Sequence, residues 1–279
     1  MLFTVLSAVC LAGAAGLILG GAIAFASKKF AVESDPREEE VLAALPGANC
    51  GGCGFAGCAD FARALVSGSV SPDRCHSCSS EQLRTIAAIL GQEACEAKRM
   101  TAVVRCGGTC SAASQRAAYN GIMDCRSAAV VAEGGGKACL YGCIGYGSCA
   151  RACPSGAIEI VDGLAVVHPE ICTGCGKCVS VCPRHLILLT PADAPLHVFC
   201  MSADPPAARR KLCRSACISC RKCVRAAGEG MLVEGTRVSV NYDAPPSADM
   251  LEAIRCPTGA LNTVAGHRAG GKDKPENAA

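Results

Sequence analysis

The sequence predicts an α+β fold in which one membrane-spanning helix precedes several small cysteine-rich modules. The first observation is a run of 25 uncharged residues from Leu2 to Ala26. As a helix this run is about 37 Å long, more than a hydrocarbon core of about 30 Å. The second observation is the presence of 24 cysteines among 279 residues, a fraction typical of disulfide scaffolds or metal proteins. The third is the alternating segment 155–171 between two cysteine runs, which predicts a short β-hairpin.

The N-terminal segment is predicted to be a single-pass membrane anchor. A cleaved signal peptide is the alternative, but no Lys or Arg precedes the apolar run, which is longer than a signal-peptide core of about 7 to 15 residues. Lys28, Lys29 and Arg37 follow the run, so the positive-inside rule places the bulk of the chain on the cytoplasmic side of a bacterial cytoplasmic (inner) membrane. That compartment is reducing, and clustered cysteines there are expected to bind metal rather than to form disulfides.

Composition and motifs argue against several other functions. The net charge is only +3, and no basic run is interleaved with aromatic residues, which argues against a nucleic-acid binder. No G-x-G-x-x-G motif follows a predicted strand and no P-loop is present, so no nucleotide site is predicted. The five histidines are scattered along the chain. The sequence therefore predicts no substrate-converting site of the chain's own.

The first cysteine group is predicted to bind one metal centre. Cys50, Cys53 and Cys58 have the spacing C-x2-C-x4-C, and Cys75 follows after a further sixteen residues. Glycines within this group permit tight turns whose N–H groups face the centre. Four thiolates suit a 4Fe-4S cluster, and zinc is the alternative.

Two later cysteine runs predict a ferredoxin-like pair of 4Fe-4S clusters. The run "ICTGCGKCVSVCP" has the complete C-x2-C-x2-C-x3-C-P spacing, whereas "CLYGCIGYGSCARACP" ends in the same way but has Tyr146 in place of one cysteine. In two-cluster ferredoxins the fourth cysteine of each run binds the other cluster. One cluster is therefore predicted on Cys153, Cys172, Cys175 and Cys178.

The other cluster of this pair lacks one ligand because of Tyr146. Cys143, Cys149 and Cys182 supply three thiolates. Cys139 lies one C-x3-C step before Cys143 and is predicted to supply the fourth. One alternative is a ligand from farther upstream, and the candidates are Cys106, Cys110 and Cys125. Another is a noncubane or three-iron cluster.

A third group predicts a ferredoxin-like module that has lost one cluster. Cys217, Cys220 and Cys223 have C-x2-C-x2-C spacing, but the closing Cys-Pro is absent and Cys256-Pro257 follows separately. These four cysteines are predicted to bind one cluster. Five others, which the sequence leaves unpaired, form a possible further cluster or zinc site: Cys106, Cys110, Cys125, Cys200 and Cys213.

Basic residues are concentrated around this third group, in a chain that is otherwise nearly neutral. They predict a docking face for an acidic soluble ferredoxin, because complementary charge raises the rate of encounter. The alternative is a solvated loop whose charges offset the thiolates. The residues are Arg209, Arg210, Lys211, Arg214, Arg221, Lys222 and Arg225.

The anchor, the run "KKFAVESDPREEEVLAALPGANCGGCGFAGC" and the ferredoxin pair resemble the B subunit of the Rnf electron-transport complex, in its longer form with extra cysteines. The resemblance covers residues 1 to about 265. It implies an iron-sulfur protein that carries electrons between ferredoxin and NAD, within a membrane complex of several subunits that translocates Na+ or H+. The chain departs from that pattern at Tyr146 and at the missing Cys-Pro after Cys223. A membrane-tethered zinc or cysteine scaffold is the alternative function.

The complete predicted fold is α+β, with an N-terminal transmembrane helix, a small helical four-Cys cluster domain and ferredoxin-like 4Fe-4S modules. At least three clusters are predicted, and four or more if every group binds one. The predicted segments are the anchor (1–27), the four-Cys domain (28–91), a Cys-containing connector (92–136), the two-cluster ferredoxin-like domain (137–190), a degenerate ferredoxin-like module (191–265) and a tail (266–279).

Overall fold

The structure is a computed structural model that describes residues 13, 14, 16–25, 29, 35–93, 99–132 and 134–269. The prediction of a transmembrane anchor falls largely outside these residues. Residues 13, 14 and 16–25 are helical and exposed. In the part of the chain that is described, no helix combines the length and the apolar character needed to cross a membrane.

The first module is a small helical domain. Its helices are α1 (Pro36–Ala44), α2 (Cys58–Val66) and α3 (Ser80–Leu90), with a 3₁₀ turn at Pro72–Arg74. Asp35 caps α1, and Ser79 forms a reciprocal capping box with Gln82 at the start of α3, so both helices have satisfied N-termini. Phe61, Leu65 and Ile86 form the buried centre of the module. This core places the start of α2 against the loop that carries the first cysteine group.

The second module has the strand pairing expected of a two-cluster ferredoxin. Its elements are β1 (Met100–Val104), α4 (Cys125–Ala129), α5 (Ser148–Ala152), β2 (Ile158–Val161), β3 (Leu164–Val167), α6 (Lys177–Val181) and β4 (Ile187–Pro191). The antiparallel hairpin β2–β3 pairs Ile158 with Val167, as its alternating sequence predicts. The first and last strands also pair in antiparallel register, with Met100 opposite Pro191 and Val104 opposite Ile187.

The position of β1 differs from the expected organisation of the chain. The strand lies within the segment 92–136, for which a connector is predicted, yet it pairs with the final strand of the ferredoxin module. The physical reason is that the five-residue run "MTAVV" buries four of its side chains, and it needs a partner for its backbone hydrogen bonds.

The third module repeats this strand topology. Its elements are β5 (His197–Val198), α7 (Pro206–Leu212), α8 (Lys222–Ala227), β6 (Met231–Glu234), β7 (Arg237–Val240), α9 (Met250–Ile254), β8 (Leu261–Asn262) and α10 (Val264–Ala269). The first strand, β5, pairs with the last, β8, and β6–β7 forms the central hairpin. This arrangement fits the predicted degenerate ferredoxin-like module.

The segment 112–114, which follows β1, joins the second and third modules. Backbone hydrogen bonds run from the Ser114 N–H to the Leu212 carbonyl and from the Arg214 N–H to the Ala112 carbonyl, both 2.9 Å. On its other side, the Ala138 N–H donates to the Ser114 carbonyl over 2.8 Å. The segment thus lies between the first cysteine run of the ferredoxin module and the end of α7.

Candidate metal centres

Site 1 is the predicted group of Cys50, Cys53, Cys58 and Cys75, of which Cys75 lies in the core of the first module and Cys53 and Cys58 pack against that core. Cys58 begins α2, and its N–H donates to the Asn49 side-chain oxygen over 2.8 Å. A hydrogen bond from Cys78 lowers the pKa of the Cys75 thiol to about 6. Cys78 therefore lies directly beside this group.

Site 2 consists of Cys153, Cys172, Cys175 and Cys178, which line one cavity. The crossing of Cys153 to the other run is the arrangement that the ferredoxin spacing predicts. The backbone N–H groups of Ala102 and Gly174 each donate to the Cys172 sulfur over 3.5 Å. Burial, followed by the neighbouring thiols, raises the pKa of Cys178 to about 12. Such a thiol ionises readily only with a cation or metal centre beside it.

Site 3 is the cavity of the run that contains Tyr146, and the predicted ligand Cys139 does not line it. Cys143, Cys149 and Cys182 line a cavity together with Cys125. Burial raises the pKa of Cys149 to about 12, and the next largest contribution comes from the Cys125 thiol. The structure therefore places Cys125, one of the upstream candidates, where a fourth ligand would lie.

A polar network explains why Cys125 reaches this cavity. Cys125 is the first residue of α4, and its N–H donates to the Ser148 hydroxyl over 2.9 Å. That hydroxyl donates to the Asp124 carboxylate over 2.6 Å and lowers the pKa of Asp124 to about 2. Arg151 also bonds Asp124, at 3.2 Å. The network ties the start of α4 to the start of α5, which carries Cys149.

Tyr146 lies at the position where a complete run has a cysteine, and its side chain is packed against the protein. Its hydroxyl donates to the Gly135 carbonyl over 3.0 Å, and its ring stacks on Tyr119 with a centroid separation of 5.4 Å. The preceding residue, Gly145, has a φ of 92°, and a side chain there would collide with the Gly163 carbonyl. This close approach holds the cysteine loop against the β2–β3 turn.

Site 4 consists of Cys217, Cys220, Cys223 and Cys256, which line a cavity of about 410 Å³ including its open mouth. The Leu261 N–H donates to the Cys256 sulfur over 3.5 Å. The structure thus brings together the four cysteines that the sequence groups here, although Cys256 is far from the others in the chain.

Cys139 lies in a different cavity, with three cysteines that the sequence left unpaired. These are Cys106, Cys200 and Cys213. Cys110 is exposed and lines none of the cysteine cavities. Sequence spacing could not identify this set, because its members come from four separate segments of the chain.

The donor sets fit iron-sulfur clusters. Four thiolates per site, N–H groups directed at sulfur and partly buried cavities are the features that hold and tune 4Fe-4S clusters. Among the described residues, no group of three or more His, Cys, Asp or Glu side chains is arranged to hold a single metal ion. Sites 2, 3 and 4 are therefore defined by the cavities that their cysteines line, and site 1 by the packing of its cysteines.

Sites 1 and 2 are in direct contact. The Ser77 hydroxyl, which lies 3.8 Å from the Cys50 sulfur, donates to the Thr173 carbonyl over 3.2 Å. A side chain at Gly52 would collide with the Cys175 backbone, so the two cysteine loops pack main chain to main chain. Sites 2 and 3 lie together in the ferredoxin module because each cysteine run contributes to both.

Comparison with known proteins identifies iron-sulfur domains in two parts of the chain. An Fe-S cluster family model matches residues 45–77, and a 4Fe-4S dicluster domain model matches residues 141–186. The two matches contain all of sites 1 and 2 and three of the four cysteines of site 3. The chain is therefore an iron-sulfur protein with 4Fe-4S binding modules.

Curated relatives cover much more of the chain. It is 43% identical to the B subunit of the Na(+)-translocating ferredoxin:NAD(+) oxidoreductase complex of Acetobacterium woodii, over 78% of this chain and 65% of that protein. The B subunit of the Methanosarcina acetivorans ion-translocating oxidoreductase complex is 38% identical, over 78% of this chain and 82% of that protein. The B subunit of the Clostridium ljungdahlii proton-translocating ferredoxin:NAD(+) oxidoreductase complex is 37% identical over 89% of each chain. The chain spans just under two thirds of the Acetobacterium protein but most of the other two, and it belongs to the family of B subunits of ion-translocating, Rnf-type oxidoreductase complexes.

Proposed function

We propose that this chain carries electrons through a series of 4Fe-4S clusters, within a membrane complex that couples electron flow between ferredoxin and NAD to the translocation of Na+ or H+. The names of the Acetobacterium and Clostridium relatives support the two redox partners. One of these names specifies Na+ and the other protons, so the proposal includes both ions. Other membrane and peripheral subunits of the complex are the expected partners.

The observation that carries this proposal is the succession of four-cysteine sites. Contact between site 1 and site 2, and the shared runs of sites 2 and 3, give a continuous path through two modules. A 4Fe-4S cluster accepts and releases one electron without making or breaking a bond to substrate. The protein residues hold each cluster and tune its potential through burial and N–H donors. We therefore assign the chain no substrate-converting site of its own.

We further propose that the chain is a single-pass protein of the bacterial cytoplasmic membrane, with its modules on the cytoplasmic side. The support is the uncharged run of 25 residues and the lysines that follow it, Lys28 and Lys29, because positive charge favours the cytoplasmic side. A tag after residue 279 is then expected to be protected from external protease in intact spheroplasts and cleaved after lysis. Cleavage in intact spheroplasts would contradict this topology.

The proposed ferredoxin-docking face is smaller than the sequence suggested. Arg209 belongs to the predicted basic cluster, but its side chain is only 2% exposed and bonds internal carbonyl groups. The other six members of the cluster are exposed: Arg210, Lys211, Arg214, Arg221, Lys222 and Arg225. The docking face is therefore assigned to these exposed residues near site 4.

Reversal of this charge is expected to slow reduction by ferredoxin. In the triple variant Arg210→Glu, Lys211→Glu and Arg225→Glu, the bimolecular rate of cluster bleaching by reduced ferredoxin should fall about 10-fold or more at low salt, because electrostatic steering is lost. The difference should shrink at high salt, where charges are screened. Stopped-flow absorbance measures this rate, and the iron content should remain that of the unmodified chain.

A matched triple variant tests where ferredoxin docks. Arg63, Arg74 and Arg84 are exposed on the first module, and reversal of their charge should leave the rate within about 2-fold of the unmodified rate, because these residues lie outside the proposed face. If only this second variant were slow, ferredoxin would dock at site 1. If neither the unmodified chain nor any variant were bleached by reduced ferredoxin, the proposed function itself would be contradicted.

A further inference from the structure

A fifth group of four cysteines lies between the ferredoxin module and the third module. Cys106, Cys139, Cys200 and Cys213 line a cavity of about 450 Å³ including its mouth. This is close to the 410 Å³ of the site 4 cavity and the 370 Å³ of the site 3 cavity. The fifth group therefore has the donor number and the space of the other sites.

Backbone pairing brings these four cysteines together from distant parts of the sequence. Cys106 follows β1, and the segment after it pairs with residues around Cys213 and, on its other side, with Ala138. Cys200 follows β5, where the Phe199 N–H donates to the Ala260 carbonyl over 2.6 Å. A methyl group added at Gly108 would lie 3.5 Å from the Cys106 sulfur and 3.6 Å from the Cys213 sulfur. Two sulfurs of the group thus flank the same glycine.

Two buried cations line this cavity. Lys137 is 4% exposed, and its ammonium donates to the carbonyls of Gly108 and Gly163, at 2.8 and 2.6 Å. Arg209 also lines the cavity and donates to the Asp204, Cys217 and Thr236 carbonyls. Carbonyl groups do not neutralise a charge, and burial of an uncompensated cation is costly. The Asp162 carboxyl, whose pKa is lowered by a Ser111 hydrogen bond and in smaller part by Lys137, supplies some negative charge near Lys137. An anionic cluster bound by four thiolates would add negative charge beside both cations.

The Cys106 sulfur already has the hydrogen bonds of a tuned ligand. The N–H groups of Gly108 and Cys143 each donate to it over 3.3 Å. Such N–H···S bonds favour the thiolate and raise the potential of a bound cluster. Cys110, on the same segment, is exposed.

The position of the group between two other sites suggests its role. Cys143 of site 3 donates its N–H to the Cys106 sulfur. On the other side, Arg209 bonds the carbonyl of Cys217 in site 4 over 3.0 Å. The fifth group is therefore the direct link between the cysteines of the second and third modules.

We propose that Cys106, Cys139, Cys200 and Cys213 bind a fifth 4Fe-4S cluster that passes electrons between site 3 and site 4. The proposal rests on the electron-transfer function proposed above. Each step moves one electron: the donor cluster is oxidised, the acceptor cluster is reduced, and no proton or bond is transferred. Reduced ferredoxin supplies the electrons, and they can travel in either direction between the two modules.

Metal analysis of the whole chain, purified without oxygen, tests the proposal. Cys200→Ala and Cys213→Ala should each remove about four iron and four sulfide per chain, and Cys110→Ala should remove none. The double variant Cys200→Ala with Cys213→Ala should lose no more than either single variant, because both residues hold one cluster. Cys200→Ala combined with Cys125→Ala should lose about eight iron, because two clusters are lost.

Each alternative to the fifth cluster predicts a different metal content. Unchanged iron in the single variants, additive losses in the Cys200/Cys213 pair, or loss of one zinc instead of iron would overturn the fifth cluster. Those results would leave the iron of the other four sites in place, whereas a chain without iron would contradict the proposed function as well.

A substitution that retains every ligand provides a second test. Lys137→Met removes the buried charge at similar volume, and the reduction potential of one cluster should then become more negative while the iron content stays constant. In an EPR-monitored redox titration, the signal that shifts should be the one that Cys200→Ala abolishes. Lys222→Met removes an exposed charge beside site 4. As the matched control, it should leave that signal unshifted. A signal that survives Cys200→Ala, or that does not shift in Lys137→Met, would contradict the assignment.

Discussion

Replacement of Cys125 by alanine is expected to remove one complete cluster, about four iron and four sulfide per chain. Cys125 lines the site 3 cavity with Cys143, Cys149 and Cys182, and the remaining three thiolates would leave one iron without a protein ligand. Anaerobic iron and sulfide analysis measures the loss. Cluster EPR should show that one signal disappears while the others remain.

Two controls distinguish this assignment from the one that sequence spacing favoured. Tyr146→Phe should leave the iron content unchanged, because the Tyr146 hydroxyl bonds the Gly135 carbonyl instead of a metal. Cys139→Ala should also lose about four iron, but its loss should add to that of Cys125→Ala, since the two residues line different cavities. Equal iron in Cys125→Ala and the unmodified chain would refute the role of Cys125.

Replacement of Arg209 by methionine is expected to destabilise the third module by on the order of 3 kcal/mol. The guanidinium donates to the Asp204, Cys217 and Thr236 carbonyls at 2.6 to 3.0 Å. Methionine has a similar volume but no donor, so the part-buried Asp204 and Cys217 carbonyls would lose this partner, whereas the Thr236 carbonyl would keep the Ser219 hydroxyl. Thermal unfolding followed by circular dichroism should show that the transition of this module falls by roughly 10 °C or more.

Neighbouring substitutions show whether the effect comes from the hydrogen bonds. Arg209→Lys should recover little of the lost stability, because an ammonium cannot reproduce the fork of a guanidinium. Arg210→Met removes an exposed charge on the same helix and should change the stability by no more than about 0.5 kcal/mol. If Arg209→Met were as stable as Arg210→Met, the buried network would not hold the module together.

The ferredoxin module could be predicted from the sequence because its information is local. The C-x2-C-x2-C spacing fixes three ligands within one loop, and Cys-Pro marks the residue that crosses to the other cluster. The hairpin between the runs alternates as a half-buried strand pair should, and the structure has that pairing. The four cysteines of site 2 could be grouped from these patterns alone.

Cys125 and Cys139 could not be assigned in this way because their positions depend on tertiary contacts. The Asp124–Ser148 hydrogen bond brings Cys125 to α5 across more than twenty residues of intervening chain. Cys139 is only four residues from Cys143, but Arg184 binds the Cys139 and Gly142 carbonyls, at 2.9 and 2.7 Å. This contact holds the loop so that the two thiols line different cavities. Proximity in sequence therefore does not indicate which cavity the Cys139 thiol lines.

The prediction that Arg209 belongs to an exposed basic face was wrong for a similar reason. In the sequence it is one of several basic residues in a row, a pattern typical of a solvated surface. The helix α7 places it alone on the inner side, 2% exposed, while Arg210 and Lys211 remain outside. Charge counts along the chain do not reveal which member of a basic run is internal.

The iron, sulfide and zinc contents of the anaerobically purified chain decide whether it holds a series of redox-active clusters. We predict about 20 iron and about 20 sulfide per chain, from five 4Fe-4S clusters, with no stoichiometric zinc. We also predict visible absorbance that is bleached when reduced ferredoxin is added. A colourless chain with one zinc for each group of four cysteines and no sulfide would contradict electron transfer by this protein, because zinc thiolates undergo no redox change and could not carry electrons.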